Sequence, residues 1–260
     1  MPRALTLLVA IACSARIAAA DPTVNRVITA PTAWLPPAGA VIGTAGMDHR
    51  FDADIILGYG FGGLASVELG TDTDVRGCTD CSQRPEPLFL TRAAFRMGAR
   101  QNAWFTGMPA LVLGVRTTVV PITGRDDFER VRVTDAYVVA SRVVGPVRLH
   151  AGASLVDAGF GDYHMGPKLR PLGGFEWTPP QYPKTSLLGD VAWVALLRAD
   201  KARPEWLAGW GVRYQALPWG SIELAVRHRE DEGLGDSTVL VRVNGLFDPA
   251  RSGKAAPAAR

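Results

Sequence analysis

The chain has no long apolar run. Hydrophobic residues make up 47% of its 260 positions and charged residues only 20%, against roughly 25% charged in an average soluble domain. Yet the longest uncharged apolar stretch beyond the first twenty residues runs only from Val191 to Leu197, far short of the ~18 residues a spanning helix needs. That excludes a helical membrane protein, and the apolar content excludes disorder. Lysine is nearly missing. The 28 basic residues include only Lys168, Lys184, Lys201 and Lys254, a usage that a GC-rich genome explains. Histidine occurs four times and cysteine three, too few and too scattered for a four-ligand zinc site, so neither metal nor cofactor is expected. After residue 37 the 3.6-residue helical period is almost absent. What is abundant is glycine, with 28, and proline, with 19, which favours many turns.

Residues 1–20 read as a secretory signal peptide. Arg3 gives a positive start, Ala4 to Cys13 is apolar, and Ala18-Ala19-Ala20 before Asp21 fits small-residue cleavage. Lipidation at Cys13 is the alternative, with a poor lipoprotein box. Removing the signal takes away Arg3 and Arg16 and no acid, which lowers the net charge from +3 to +1. No basic cluster remains, so nucleic acid is not an expected partner. An exported chain meets an oxidising compartment, so Cys78 and Cys81 in Gly77-Cys78-Thr79-Asp80-Cys81 are expected to form a local disulfide that stiffens a loop. The Pro-rich sequence that follows lacks the helix start that a redox Cys-x-x-Cys requires.

The body alternates with period two. In Ile222-Glu223-Leu224-Ala225-Val226-Arg227-His228 the even positions are apolar up to His228, and Glu223 and Arg227 lie opposite. Strands are expected at 39–49, 53–61, 64–72, 88–99, 109–120, 130–142, 146–156, 168–178, 186–198, 205–216, 219–230 and 236–247. Most are nine to thirteen residues long, enough for the nine to eleven of a tilted bilayer-crossing strand and longer than is usual in soluble sheets. The tight connections at 60–63, 144–146 and 216–219 fall on one side. The longer loops 73–87, 121–129, 157–167, 199–204 and 231–235 fall on the other. The connections 100–108, 179–185 and 50–52 break this sorting. Tyr59, Phe61, Trp104, Phe105, Trp177, Tyr182, Tyr214, Trp219 and Phe247 gather near the tight-turn rim, where aromatic girdles sit. The expected fold is all-β, a single antiparallel up-and-down transmembrane barrel of about twelve strands in a Gram-negative outer membrane. Residues 21–37 form an extended lead-in, 38–247 the barrel and 248–260 a disordered periplasmic tail. An exported soluble β-sandwich binding protein is the alternative fold.

If the apolar face meets outer-membrane lipid, the other face fills the lumen. The lumen candidates are Glu68, Arg92, Arg96, Arg116, Arg148, Arg170, Glu176, Asp190, Arg213, Glu223, Arg227 and Arg242, eight arginines to four acids. Guanidinium forks suit carboxylate and phosphate, so one expectation is a narrow channel for small anionic solutes or acidic oligosaccharides. The other is a small barrel filled by its own side chains. No enzyme is expected. None of the four histidines has a serine two positions on, and His150 and Ser154, though on one face, stand about 13 Å apart along the strand. Asp157, Asp162 and His164 share a Gly-rich outer loop that could hold a cation or be a plain polar turn.

The segment Val27-Ile28-Thr29-Ala30-Pro31-Thr32-Ala33-Trp34-Leu35-Pro36-Pro37-Ala38-Gly39 leads into Gly58-Tyr59-Gly60 and Glu68-Leu69-Gly70. This entry and hairpin, covering roughly 27–70, resemble the YjbH type of outer-membrane proteins. The resemblance implies a barrel tied to exopolysaccharide production and export. The chain is much shorter than typical members. The prolines hold the lead-in extended, and it could tuck into the lumen as a short plug. The expected role is structural or transport-like, linked to envelope polysaccharide, with the barrel-assembly machinery as a partner in biogenesis.

Overall fold

The structure is a computed structural model and describes residues 25–50, 52–78, 85–120, 130–198 and 201–249. The expected signal peptide, Cys81 and nearly all of the expected tail lie outside these residues.

One antiparallel sheet closes on itself. In chain order its elements are β1 (Val41–Asp48), β2 (Ala53–Phe61), β3 (Ala65–Asp72), β4 (Arg76–Cys78), β5 (Glu86–Pro87), β6 (Leu90–Ala99), β7 (Ala110–Val120) and β8 (Arg132–Val144). They continue with β9 (Val147–Phe160), β10 (Tyr163–His164), β11 (Lys168–Trp177), β12 (Thr185–Arg198), β13 (Lys201–Leu217), β14 (Gly220–Arg229) and β15 (Thr238–Phe247). Twelve of them make the wall, and β1 pairs with β15 from Val41↔Phe247 to Asp48↔Leu240 to close it. The alternative of two stacked sheets does not hold. Closure leaves no exposed sheet edge around most of the wall, which a membrane strand requires.

Alternation decides which way each side chain points. Along β2, Asp54, Ile56, Gly58 and Gly60 are buried while Ile55, Leu57, Tyr59 and Phe61 are exposed. An inward carboxylate and an outward isoleucine on adjacent positions invert the pattern of a soluble barrel. All nine rim aromatics named above are exposed.

The structure departs from the expected elements at the long-loop end. Residues 157–160 and 201–204 belong to β9 and β13, not to loops, because both hairpins continue as regular ladders beyond their apolar alternation. The long loop after β3 carries β4 and β5. Parallel pairing of β4 with β12, Leu196↔Arg76 to Arg198↔Cys78, draws this loop across the barrel mouth. Beneath it Val75, Leu88 and Leu90 pack on Val133, Val156 and Phe160 from the wall. The mouth therefore has an apolar roof.

Candidate functional site: a plugged, ion-paired lumen

The lead-in lies inside the barrel. Val27-Ile28-Thr29-Ala30 is buried, and an isolated bridge between Arg26 and Pro31 folds it into a tight loop. Three successive backbone N–H groups, from Ile28, Thr29 and Ala30, donate to Asp190 Oδ2 at 3.0, 2.7 and 2.7 Å. Consecutive amides turned to one side form an anion-binding nest, and here the anion is the wall's own carboxylate. The plug's carbonyls face guanidiniums. Arg213 donates to Val27 O at 2.6 Å and Arg242 to Ile28 O at 2.8 Å. Arg96 donates to Thr32 O, and to Trp34 O at 3.2 Å. Ala33 N–H donates to Ser141 Oγ at 2.7 Å. The plug's backbone is thereby satisfied by the wall, as burial demands.

Wall glycines clear the space. A Cβ at Gly60 would run into the Pro36 and Pro37 carbonyls, and one at Gly209 would meet Ile28 and Asp190. The lead-in seats against bare backbone at these points.

The structure places all twelve lumen candidates on the inner face, buried or half-buried, and joins most of them in networks. Glu176 accepts from Arg148 at 3.3 Å and Arg213 at 3.1 Å, and Glu223 pairs with Arg213 at 2.9 Å and Arg242 at 3.1 Å. Arg96 pairs with Glu68 at 3.1 Å. Arg92 and Arg116 each bridge Asp72 and Asp135, at 2.7–3.0 Å. Arg227 pairs with Asp74. Arg170 stands apart: among the described residues no carboxylate pairs with it, and it stacks over Trp193 at 5.1 Å from the ring centre.

The expected arginine excess shrinks accordingly. Asp54, Asp72, Asp74 and Asp135 are also buried in the interior. Asp54 and Asp72 stand at or next to strand ends, where an aspartate reads as a turn residue. One small cavity, with a volume of about 30 Å³, lies between Arg26, Thr29, Arg116, Tyr137, Leu172 and Trp193, room for about two waters.

Two groups escaped strand-by-strand reading. His150 finds its serine across the ladder: Ser141, its register partner, sits with Oγ 2.7 Å from His150 Nδ1. His150 Nε2 lies 3.4 Å from Glu176 Oε1. Such a chain is the kind that activates a nucleophile, but here Oγ already accepts the plug's Ala33 amide and Trp34 packs edge-on to the imidazole. The other group is Arg76 in β4. It holds Glu205, Asp231 and Glu232 at 2.7–2.8 Å, and Arg229 adds Glu205 at 2.7 Å. This cluster latches the roof. Burial works against ionisation of Asp231, but the Arg76 guanidinium overcomes it and holds the carboxyl below its usual range. At the outer end of the wall His164 of β10 pairs with Asp157 of β9 at 2.8 Å. Among the described residues no group of three or more His, Cys, Asp or Glu forms a metal site.

A signal for the plug was present in sequence: residues 27–35 carry no charge and lack period-two alternation. Such a segment can be buried whole but cannot serve as a wall strand.

A closed twelve-stranded antiparallel barrel, apolar outside and ion-paired inside, has the fold of outer-membrane proteins of Gram-negative bacteria. The chain is similar to the KdgM porin, described in complex with disordered oligogalacturonate, at TM-score 0.50 and 8% identity over 80% of this chain and 99% of that one. It is also similar to outer membrane phospholipase A of Escherichia coli, at TM-score 0.44 and 12% identity over 83% of this chain and 91% of that one. The translocator domain of the Neisseria meningitidis autotransporter NalP gives TM-score 0.38 and 10% identity, over 80% and 86%. No family model and no curated protein sequence matches the chain.

Proposed function

We propose that this chain is a transport-type outer-membrane barrel that its own lead-in holds closed, and that it passes acidic saccharides or other small anions when the lead-in withdraws. One observation carries the reading. Arg96, Arg213 and Arg242 direct guanidinium donors to plug carbonyls, and those donors are the ones a carboxylate-bearing solute would take. The acidic saccharide described with the KdgM porin belongs to the same ligand class, and the YjbH resemblance supports a link to envelope polysaccharide. Lipid contacts the apolar outer wall, and the barrel-assembly machinery inserts the chain after the signal is removed. The Cys78–Cys81 bridge stiffens the roof loop. We assign Ser141 and His150 to anchoring the plug and not to catalysis, so Ser141→Ala should leave any background ester hydrolysis by the purified protein unchanged.

A second reading, a filled structural barrel, draws on the ion pairing of ten of the twelve lumen candidates and on the small residual cavity. Planar-bilayer recordings separate the two. The full chain should be nearly silent, and a variant lacking residues 25–35 should conduct with anion selectivity. If that variant shows heat-modifiable migration and yet stays silent, the transport reading fails and the structural one stands.

A further inference from the structure

Among the described residues, β11 and β12 are neighbours in the wall but lack backbone pairing along part of their shared boundary. β11 pairs with β9 along its whole length, Lys168↔Val156 to Trp177↔Val147. On its other side it pairs with β12 only from Gly173↔Val191 to Trp177↔Leu187. Residues 168–172 of β11 therefore face β12 without a ladder, and β12 has no strand partner on that side until β4 joins at Leu196. Pro171 lies in this stretch, and a proline, having no N–H to give, is tolerated at such an edge. The interruption is a seam in the wall, toward the long-loop end.

Side chains close the seam. Trp193 stands at an outward position of β12, two residues beyond exposed Val191 and in register with Trp206 of β13. Paired tryptophans of this kind mark the membrane–water boundary. Yet Trp193 also lines the lumen cavity, together with Leu172 and Ala192, and it packs against the roof cluster. A ring that touches both the lumen and the outside fills the opening as a stopper. Arg170 lies over its face and is the one lumen candidate that no carboxylate neutralises among the described residues. Below it, Leu169 and Pro171 are exposed on the outer wall.

We propose that this seam is a lateral binding site for an anionic amphiphile of the outer leaflet. The acyl chain lies between the unpaired edges of β11 and β12, against Leu172, Ala192 and a displaced Trp193. The anionic head takes the Arg170 guanidinium, whose planar fork suits phosphate or carboxylate. The tail stays in an apolar setting while the charge meets Arg170, with Lys168 at the end of the same stretch of β11 adding a second positive charge. The proposal rests on the barrel wall and not on plug movement, so a silent conductance experiment leaves it untouched.

The test uses the full-length protein held in amphipol and native mass spectrometry, with dodecyl phosphate, dodecyl maltoside and inorganic phosphate as probes. Dodecyl phosphate should be retained at least tenfold better than either of the others. Arg170→Gln should remove that preference, while Arg203→Gln, on a separate ion pair with Glu230, should keep it. A Leu172→Cys/Ala192→Cys pair continues the β11–β12 register across the seam. Oxidising it should abolish retention, and reducing it should restore retention. Equal retention of the two dodecyl probes, or an unchanged preference in a folded Arg170→Gln variant, overturns the anionic head. Equal retention of inorganic phosphate overturns the acyl site. Retention that persists in the oxidised double-cysteine protein, or a pair that never bridges, overturns the seam.

Discussion

Replacing Asp190 with alanine removes the single acceptor that holds the tip of the plug. Three buried N–H groups lose their partner at once, at present distances of 3.0, 2.7 and 2.7 Å. Leaving one buried donor unpaired costs about 1–3 kcal/mol. The three share one oxygen and are not additive, and the plug keeps its bonds to Arg213, Arg242, Arg96 and Ser141. A weakening of docking by about 3 kcal/mol is a fair working figure. At about 1.4 kcal/mol per decade, that shifts the docked-to-released ratio by roughly 150-fold. The readout is chemical access. Thr29 is 4% exposed, so Thr29→Cys should react slowly with a bulky maleimide in the parent and about a hundredfold faster with Asp190→Ala added. Asp190→Asn retains an acceptor oxygen and should fall between. Equal labelling in all three backgrounds, with heat-modifiable migration intact, would refute the assignment of Asp190 as the plug's main anchor.

Gly60→Ala places a methyl where the Pro36 and Pro37 carbonyls pass; those carbonyls belong to rigid backbone, so the same maleimide assay should report a loosened plug. Arg76→Ala leaves Glu205, 0% exposed, with less compensation and should cost about 3–5 kcal/mol, read as a lower unfolding temperature and new proteolytic cuts in the roof loop. The Arg76–Asp231 pair also has a pH signature. Because the folded carboxyl titrates below its unfolded value, its contribution is complete above the ordinary carboxylate range and is lost as pH falls through the lowered folded value. Hydrogen exchange at residues 74–78 should therefore stay slow down to that range and speed up beneath it, and early loss of protection would contradict the pairing. The proposed bridge between Cys78 and Cys81 predicts that intact mass rises by two alkylation adducts only after reduction; adducts without reduction would refute it.

The wall was legible because its physics is local. Ile55 beside Asp54 and Leu224 beside Glu223 announce opposite faces, and a period of two needs no partner to be seen. The lumen was legible only by halves. Inward arginines stand out mid-strand, but Asp54 and Asp72 sit where turns also want aspartate, so the balancing charge stayed hidden. Ser141 and His150 are nine residues apart in sequence and meet only through the β8–β9 register. Arg76 and Glu205 are 129 residues apart, and neither shows a period that would pair them. The plug was conceivable from its prolines and missing charge, but Asp190 as its anchor depends on where β12 lands.

The plug's anchors carry a consequence for the order of assembly. The segment precedes β1, yet Asp190, Arg213 and Arg242 lie on β12, β13 and β15, in the last third of the chain. Residues 27–30 therefore have nowhere to dock until the final strands exist, although residues 32–34 can already meet Arg96 and Ser141 on β6 and β8, while closure of β1 on β15 would seal the cylinder around them. Docking and closure must converge within one late event. A chain cut short after β11 would lack not only part of its wall but every acceptor and guanidinium that grips residues 27–30.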